Sequence, residues 1–261
     1  MRIGVISDVH GSLHGLRAAI ADLRRLGVDA WVSLGDLIGY GAHPNECVET
    51  VAELGAWGVA GNHELIALGG LPGAESSARA QQSHTRTASV LRSDVATYLS
   101  ELPRRAVVGD IVLAHGSLDN PEEYVRSARQ AADQLAQLSR EHSDARLLLL
   151  GNTHRQQLYS EHAGTRRITN RSPMGIDRAQ RHLANPGSVG QSRQWEWPPA
   201  VRALLVDSER SILGFRQIGY DYVGCRRELA SQGLPYRSMH SPPPLGPAVR
   251  RRARRALNAL R

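Results

Sequence analysis

Five times along this chain a short apolar run stops at a loop built from Asp, Asn, His and Gly, and this repetition constrains the fold more than any other feature. Ile3 to Ser7 ends at Asp8 and His10, and Ala30 to Leu34 at Asp36. Trp57 to Ala60 ends at Asn62 and His63, Ile111 to Ala114 at His115, and Arg146 to Leu150 at Asn152 and His154. Apolar runs of this length, rich in β-branched residues and leucine, read as buried strands. Ligands of open α/β sheets collect just beyond the carboxyl ends of strands, so the five loops are expected to share one site.

Between these runs the spacing changes to that of helices. Leu13, Leu16, Ile20, Leu23 and Leu26 fall on one helical face over Leu13 to Leu26. His43 to Leu54 carries Pro44 in its first turn, Thr87 to Leu102 stops before Pro103, and Ser127 to Glu141 turns Ala131, Leu135 and Leu138 inward. Gly109-Asp110 joins Ala106 to Val108 and Ile111 to Ala114 as a hairpin. Gln157 to Tyr159, Arg166 to Thr169, Val201 to Val206 and Ile212 to Ile218 read as antiparallel strands, with a turn-like Asn185 to Gly190 among them. Asp221 to Ser231 suggests a further helix, and Gly69 to Ala78 a surface loop.

At 261 residues the chain can bury a full core as one domain. No apolar run approaches the roughly 20 residues that span a bilayer, and the N-terminal apolar stretch is too short for a signal peptide. The expectation is a cytoplasmic protein with no membrane span. Cys47 and Cys225 lie far apart without CxxC spacing, which suggests neither a disulfide framework nor a zinc ribbon. The formal net charge of +7 is concentrated at the end: Arg250 to Arg261 holds six arginines and no acid, and the remainder is close to neutral at about +1. Residues 1–234 therefore read as the domain, and 235–261 as a proline-rich then arginine-rich tail. A solvated charge run is the favoured reading of those arginines. An amphipathic helix drawn to nucleic acid or anionic lipid is the alternative, although no aromatic residue is interleaved for base stacking.

The loop residues carry the chemistry. Carboxylates mixed with imidazoles suit borderline divalent metals, whereas calcium sites are mostly oxygen and structural zinc sites mostly sulfur. Asp8 and His10, two apart on an extended segment, project to one side and can reach one ion. Asp36 can bridge two ions with its two oxygens. Ions roughly 3.5–4 Å apart would clamp a phosphoryl oxygen and acidify a bridging water. Taken alone, each Asp-x-His or Asn-His pair also fits an ordinary turn or cap. His14 reads as a helix-surface residue, and His43, His84, His142, His162, His182 and His240 as surface or packing residues.

The blocks DVHG (Asp8 to Gly11), GDLIGYG (Gly35 to Gly41), GNHE (Gly61 to Glu64), AHGS (Ala114 to Ser117) and GNTH (Gly151 to His154) resemble the signature of calcineurin-like metallophosphoesterases. NPGSVGQ at Asn185 to Gln191 is similar to a block of the small bacterial phosphodiesterase branch. The resemblance implies a four-layer α/β/β/α sandwich of two mixed sheets flanked by helices. It also implies hydrolysis of a phosphodiester or phosphomonoester, small molecule or nucleotide, by a metal-bridged hydroxide. Asp8, His10, Asp36 and His154 would hold one ion, and Asp36, Asn62, His115 and Asn152 the other, with manganese or iron ahead of zinc or nickel. His63 would face the phosphate as charge stabiliser or acid, steered by Glu64. Two departures stand out. Asn152 occupies a position usually filled by histidine, which weakens the second metal site. Glu64 stands where the phosphodiesterase branch usually has aspartate, while Tyr40 and Ala60 replace the arginines of the protein phosphatases. A dinucleoside polyphosphate hydrolase, or a non-catalytic metal-binding module weakened by Asn152, are the competing readings.

Overall fold

The structure is a computed structural model that describes residues 1–72, 78–169, 172–194, 196 and 198–235. The proline- and arginine-rich tail beyond Pro235, and most of the glycine-rich loop expected before Ala78, lie outside the described residues.

The chain opens with β1 (Arg2–Ile6), α1 (Leu13–Arg25), β2 (Ala30–Ser33), α2 (Pro44–Glu53) and β3 (Trp57–Gly58), the three strands running parallel. Next come α3 (Asn62–Ala67), α4 (Ala78–Val90), α5 (Ser93–Ser100), the hairpin β4 (Arg105–Val108) and β5 (Ile111–Ala114), then α6 (Ala128–Glu141) and β6 (Leu147–Leu149). The second half is β7 (Gln156–Ser160), β8 (Gly164–Thr165), β9 (Met174–Gly175), β10 (His182–Pro186), β11 (Ala200–Asp207), β12 (Ile212–Gly219) and α7 (Tyr222–Ser231).

Two six-stranded mixed sheets result, ordered β3-β2-β1-β11-β12-β9 and β4-β5-β6-β10-β7-β8. Ile3, Val5 and Val32 of the first sheet and Leu113, Leu147 and Leu149 of the second form one buried cluster around Phe215. Ile6 and Val201, on the other face of the first sheet, pack with Leu16 and Leu23 of α1 and Val48 of α2. Val112 and Leu148, on the other face of the second, pack with Leu135 and Leu138 of α6. Alternate residues of each strand thus feed different layers, which is the expected four-layer α/β/β/α sandwich.

Four expectations are corrected. The helix expected over Thr87 to Leu102 is two helices, broken at Leu91 and Arg92, where the Arg92 amide donates to Asn45 Oδ1 at 3.0 Å. Arg166 to Thr169 is not a strand; pairing in that region stops at Thr165. Asn185 and Pro186, expected in a turn, end the fully buried strand β10, which pairs with β6 and β7. The GNHE block is not only a loop, because α3 starts inside it at Asn62.

Candidate metal centre

The parallel strands β1, β2, β5 and β6 all point their carboxyl ends at one place, and the loops that leave them are interlocked through the backbone. Asp8 N donates to Gly35 O at 3.0 Å and His10 N to Asp36 O at 2.8 Å, which fixes the first two loops against each other. Five residues on these loops, Asp8, His10, Asp36, Asn152 and His154, adopt positive φ between 51° and 60°. This left-handed conformation costs roughly 1–2 kcal/mol for a residue with a Cβ. Such strain clusters where the surrounding structure enforces a functional geometry.

The side chains come together, although Asp8 and His10 do so from left-handed backbones and not from the extended segment expected. His154 Nε2 lies 3.3 Å from Asp8 Oδ1, and His10 Nε2 3.6 Å from Asp36 Oδ2. His115 Nε2 lies 3.3 Å from Asp36 Oδ2 and 3.2 Å from Asn62 Oδ1. All of these residues except half-buried Asn62 are buried. Each imidazole is oriented from behind by a backbone carbonyl that accepts from Nδ1. The carbonyls are Ile38 O for His10 at 3.1 Å, Leu34 O for His115 at 2.6 Å and Gln191 O for His154 at 2.7 Å. That arrangement turns each Nε2 toward the shared centre, as metal-binding histidines require.

The donor set fits a divalent cation. With their protons on Nδ1, His10 and His154 bring two Nε2 lone pairs face to face at 3.2 Å, an arrangement that a cation between them turns from repulsion into attraction. Asp8, His10, Asp36 and His154 each offer one atom within 4.8 Å of the others and could hold a metal ion. Burial lowers the pKa of His10 to about 4 and holds His154 and His63 well below the usual range, so all three are neutral at pH 7. Burial also raises Asp8 to about 7. At Asp36 burial acts the same way, but the imidazoles of His115 and His63 outweigh it and keep the carboxylate ionised. His115 is the counterpart: burial disfavours its charge, yet Asp36 lifts its pKa to about 10.

His63 and Asn152 have distinct settings. The His63 amide donates to Asp36 Oδ1 at 2.9 Å, its ring packs 4.7 Å from that of His10, and its buried Nδ1 has no hydrogen-bond partner among the described residues. Asn152 donates its Nδ2 to Pro121 O and Glu123 O at 3.2 and 3.0 Å, which leaves the amide oxygen for other work. Glu64 does not steer His63. Its carboxylate accepts the backbone N–H groups of Asp36, Leu37, Ile38 and Gly61 at 2.7 to 3.2 Å, and so holds the Asp36 loop in shape.

Three neighbours of the site stood outside the expected set: His84 as a surface or packing residue, Ser188 as part of a plain turn, and Arg193 without a role. His84 is buried with its ring 4.5 Å from that of His63, although no spacing relates them. Ser188 donates from Oγ to Asp8 O at 2.8 Å and ties β10 to the first loop; its place in the NPGSVGQ block was its signal. Arg193, just past that block, donates its backbone N–H to His154 O at 3.2 Å and carries no motif of its own.

Residues 1–211 match the calcineurin-like phosphoesterase family. The chain belongs to that family, which implies hydrolysis of phosphate esters. It is similar to a metallophosphoesterase from Sphaerobacter thermophilus, 31% identical with a TM-score of 0.79, over 91% of this chain and 97% of that one. An uncharacterized protein of Methanocaldococcus jannaschii is 29% identical over 73% of this chain and 77% of its own length. A hypothetical protein from Pyrococcus horikoshii OT3 shares the fold at 18% identity, with a TM-score of 0.72 over 91% of this chain and 95% of that one. Among the described residues no helix is long and apolar enough to cross a membrane.

Proposed function

We propose that this protein is a two-metal phosphoesterase that cleaves a phosphodiester or phosphomonoester. The observation that carries this reading is the buried convergence of Asp8, His10, Asp36 and His154, which together offer two carboxylates and two neutral imidazoles. These four would hold one ion. Asp36, Asn62, His115 and Asn152 would hold the second, with Asp36 shared. Bound there, divalent ions supply an acidified water and neutralise charge on the phosphoryl oxygens. The mixture of oxygen and imidazole donors favours manganese or iron ahead of zinc or nickel.

The protein's own contribution is orientation and electrostatics. Carbonyls behind His10, His115 and His154 fix each ring so that no reorganisation is needed when substrate arrives. Glu64 keeps the Asp36 loop in its ligating shape by accepting four N–H groups. His63 abuts both His10 and Asp36 without joining the four-residue cluster, a position from which its ring donates to a phosphoryl oxygen or to the leaving oxygen. Asn152, clamped through Nδ2, presents its Oδ1 as a neutral donor where an imidazole would bind more strongly.

Replacing Asp36 by asparagine removes the shared carboxylate. Turnover of bis-p-nitrophenyl phosphate in the presence of manganese is expected to disappear in Asp36→Asn, and metal content by elemental analysis is expected to fall with it. Retained hydrolysis in that variant overturns the proposal.

A further inference from the structure

Beside the metal centre lies a group of side chains to which the reaction outlined above gives no task. Tyr124 is 37% exposed and carries two guanidiniums, that of Arg126 at 4.0 Å and that of Arg193 at 5.5 Å from its ring centroid. Both ends of this group are fastened to the site. Arg193 N donates to His154 O at 3.2 Å, and the segment leading into Tyr124 receives the Asn152 amide, through Pro121 O and Glu123 O. Arg193 lies close enough that its charge disfavours protonation of His10 and His154.

Neither guanidinium pairs with a carboxylate among the described residues, although Glu122 and Glu123 come just before Tyr124 in sequence. Arg202, by contrast, pairs with Glu196, and Arg105 with Asp119 and Glu141. Two like charges sharing one ring repel each other unless an anion joins them. The planar forks of arginine suit phosphate oxygens. A cavity of about 310 Å³ continues from Arg126, lined by Arg166, Gln156, Gln157 and Gln194 and free of acidic side chains. Buried Gln156 Oε1 there has no hydrogen-bond partner among the described residues.

We infer that Arg126 and Arg193, held on Tyr124, form a subsite for a second phosphate of the substrate, so that the enzyme selects esters bearing two or more phosphates over simple ones. This inference rests on the phosphoesterase reading and narrows its substrate class. The scissile phosphate sits at the carboxyl ends of the strands, and the next one reaches the arginine pair at the rim.

The test uses the full chain with manganese in excess over nucleotide, and compares AMP with ADP as competitors of bis-p-nitrophenyl phosphate hydrolysis. ADP is expected to inhibit at least tenfold more tightly than AMP in the wild type, and this preference is expected to shrink to within about threefold in Arg126→Ala and in Arg193→Ala. Arg140→Ala, which removes the same charge at the far end of α6, should keep the wild-type ratio. The inference is overturned if ADP is no better than AMP in the wild type, or if the ratio survives in both rim variants. A wild type that hydrolyses no ester refutes the phosphoesterase reading instead. Calorimetric binding of ADP and AMP to the metal-loaded protein then decides the subsite by the same ratio.

Discussion

At Gly39 the backbone turns with φ of 93°, and a Cβ there would lie 2.3 Å from Nδ1 of His63. Gly109, in the β4–β5 turn, has φ of 62° with nothing within 4 Å of where its Cβ would be. The two glycines separate strain from collision. Gly109→Ala is expected to cost about 1 kcal/mol in urea denaturation, the left-handed penalty alone, with full activity. Gly39→Ala adds a clash with His63 and is expected to lower kcat at least tenfold. His63→Ala gives a complementary test. It should keep the metal content of the wild type and lose about 10²- to 10⁴-fold in kcat. If the ring protonates the leaving oxygen, alkyl esters should suffer more than p-nitrophenyl esters; an equal loss assigns it to charge stabilisation. Glu64→Ala strands four buried N–H donors at once, and at about 1–3 kcal/mol for each unsatisfied group it is expected to be among the most destabilising single changes by chemical denaturation.

Among the elements, α7 shows how residues outside the site brace it. Glu228 receives His14 Nε2 of α1 at 3.0 Å and His43, the residue before α2, so one carboxylate joins the two helices that leave the first two loops of the candidate site. Its hydrogen bond with His43, then that with His14, lowers the pKa of Glu228 below the usual 4.5. A depressed carboxyl contributes stability above the unfolded pKa and loses it as pH falls through the folded value. Protection of α7 in hydrogen exchange should therefore be steady above pH 5 and decline below about 4.5. Glu228→Gln should remove that dependence at a cost under about 1 kcal/mol, because the group is well exposed. This brace was not legible in the sequence, where Glu228 stands 185 residues from His43 and no local spacing relates it to either histidine. Helices α1 and α6 were legible, because one apolar stripe and, for α6, the Ser127–Gln130 capping box define them locally. β10 was not. Its sequence HLANP has the composition of a turn, and only pairing with β6 and β7 makes it a strand. The break between α4 and α5 depends on Asn45 of a distant helix, which local spacing does not report.

For the whole molecule, the two sheets serve to bring strand ends from residues 8 to 154 into one buried cluster. The residues that converge were legible because each ends an apolar run, and runs ending that way need a shared reason. Their left-handed backbones and the carbonyls behind the imidazoles were not, since both arise only when the loops interlock. Such a cluster of carboxylates and imidazoles, closely packed and out of water, gains from a cation, so metal is expected to stabilise the fold as well as to activate it. The most direct measurement is a manganese titration of chelator-stripped protein, following Tm and bis-p-nitrophenyl phosphate turnover on the same samples. Both are expected to rise together, saturate near two ions per chain, and reverse with EDTA, while Asp36→Asn shows neither rise. Turnover that persists undiminished in EDTA, or a wild type whose Tm and activity both ignore manganese, iron, zinc and nickel, would contradict the two-metal reading.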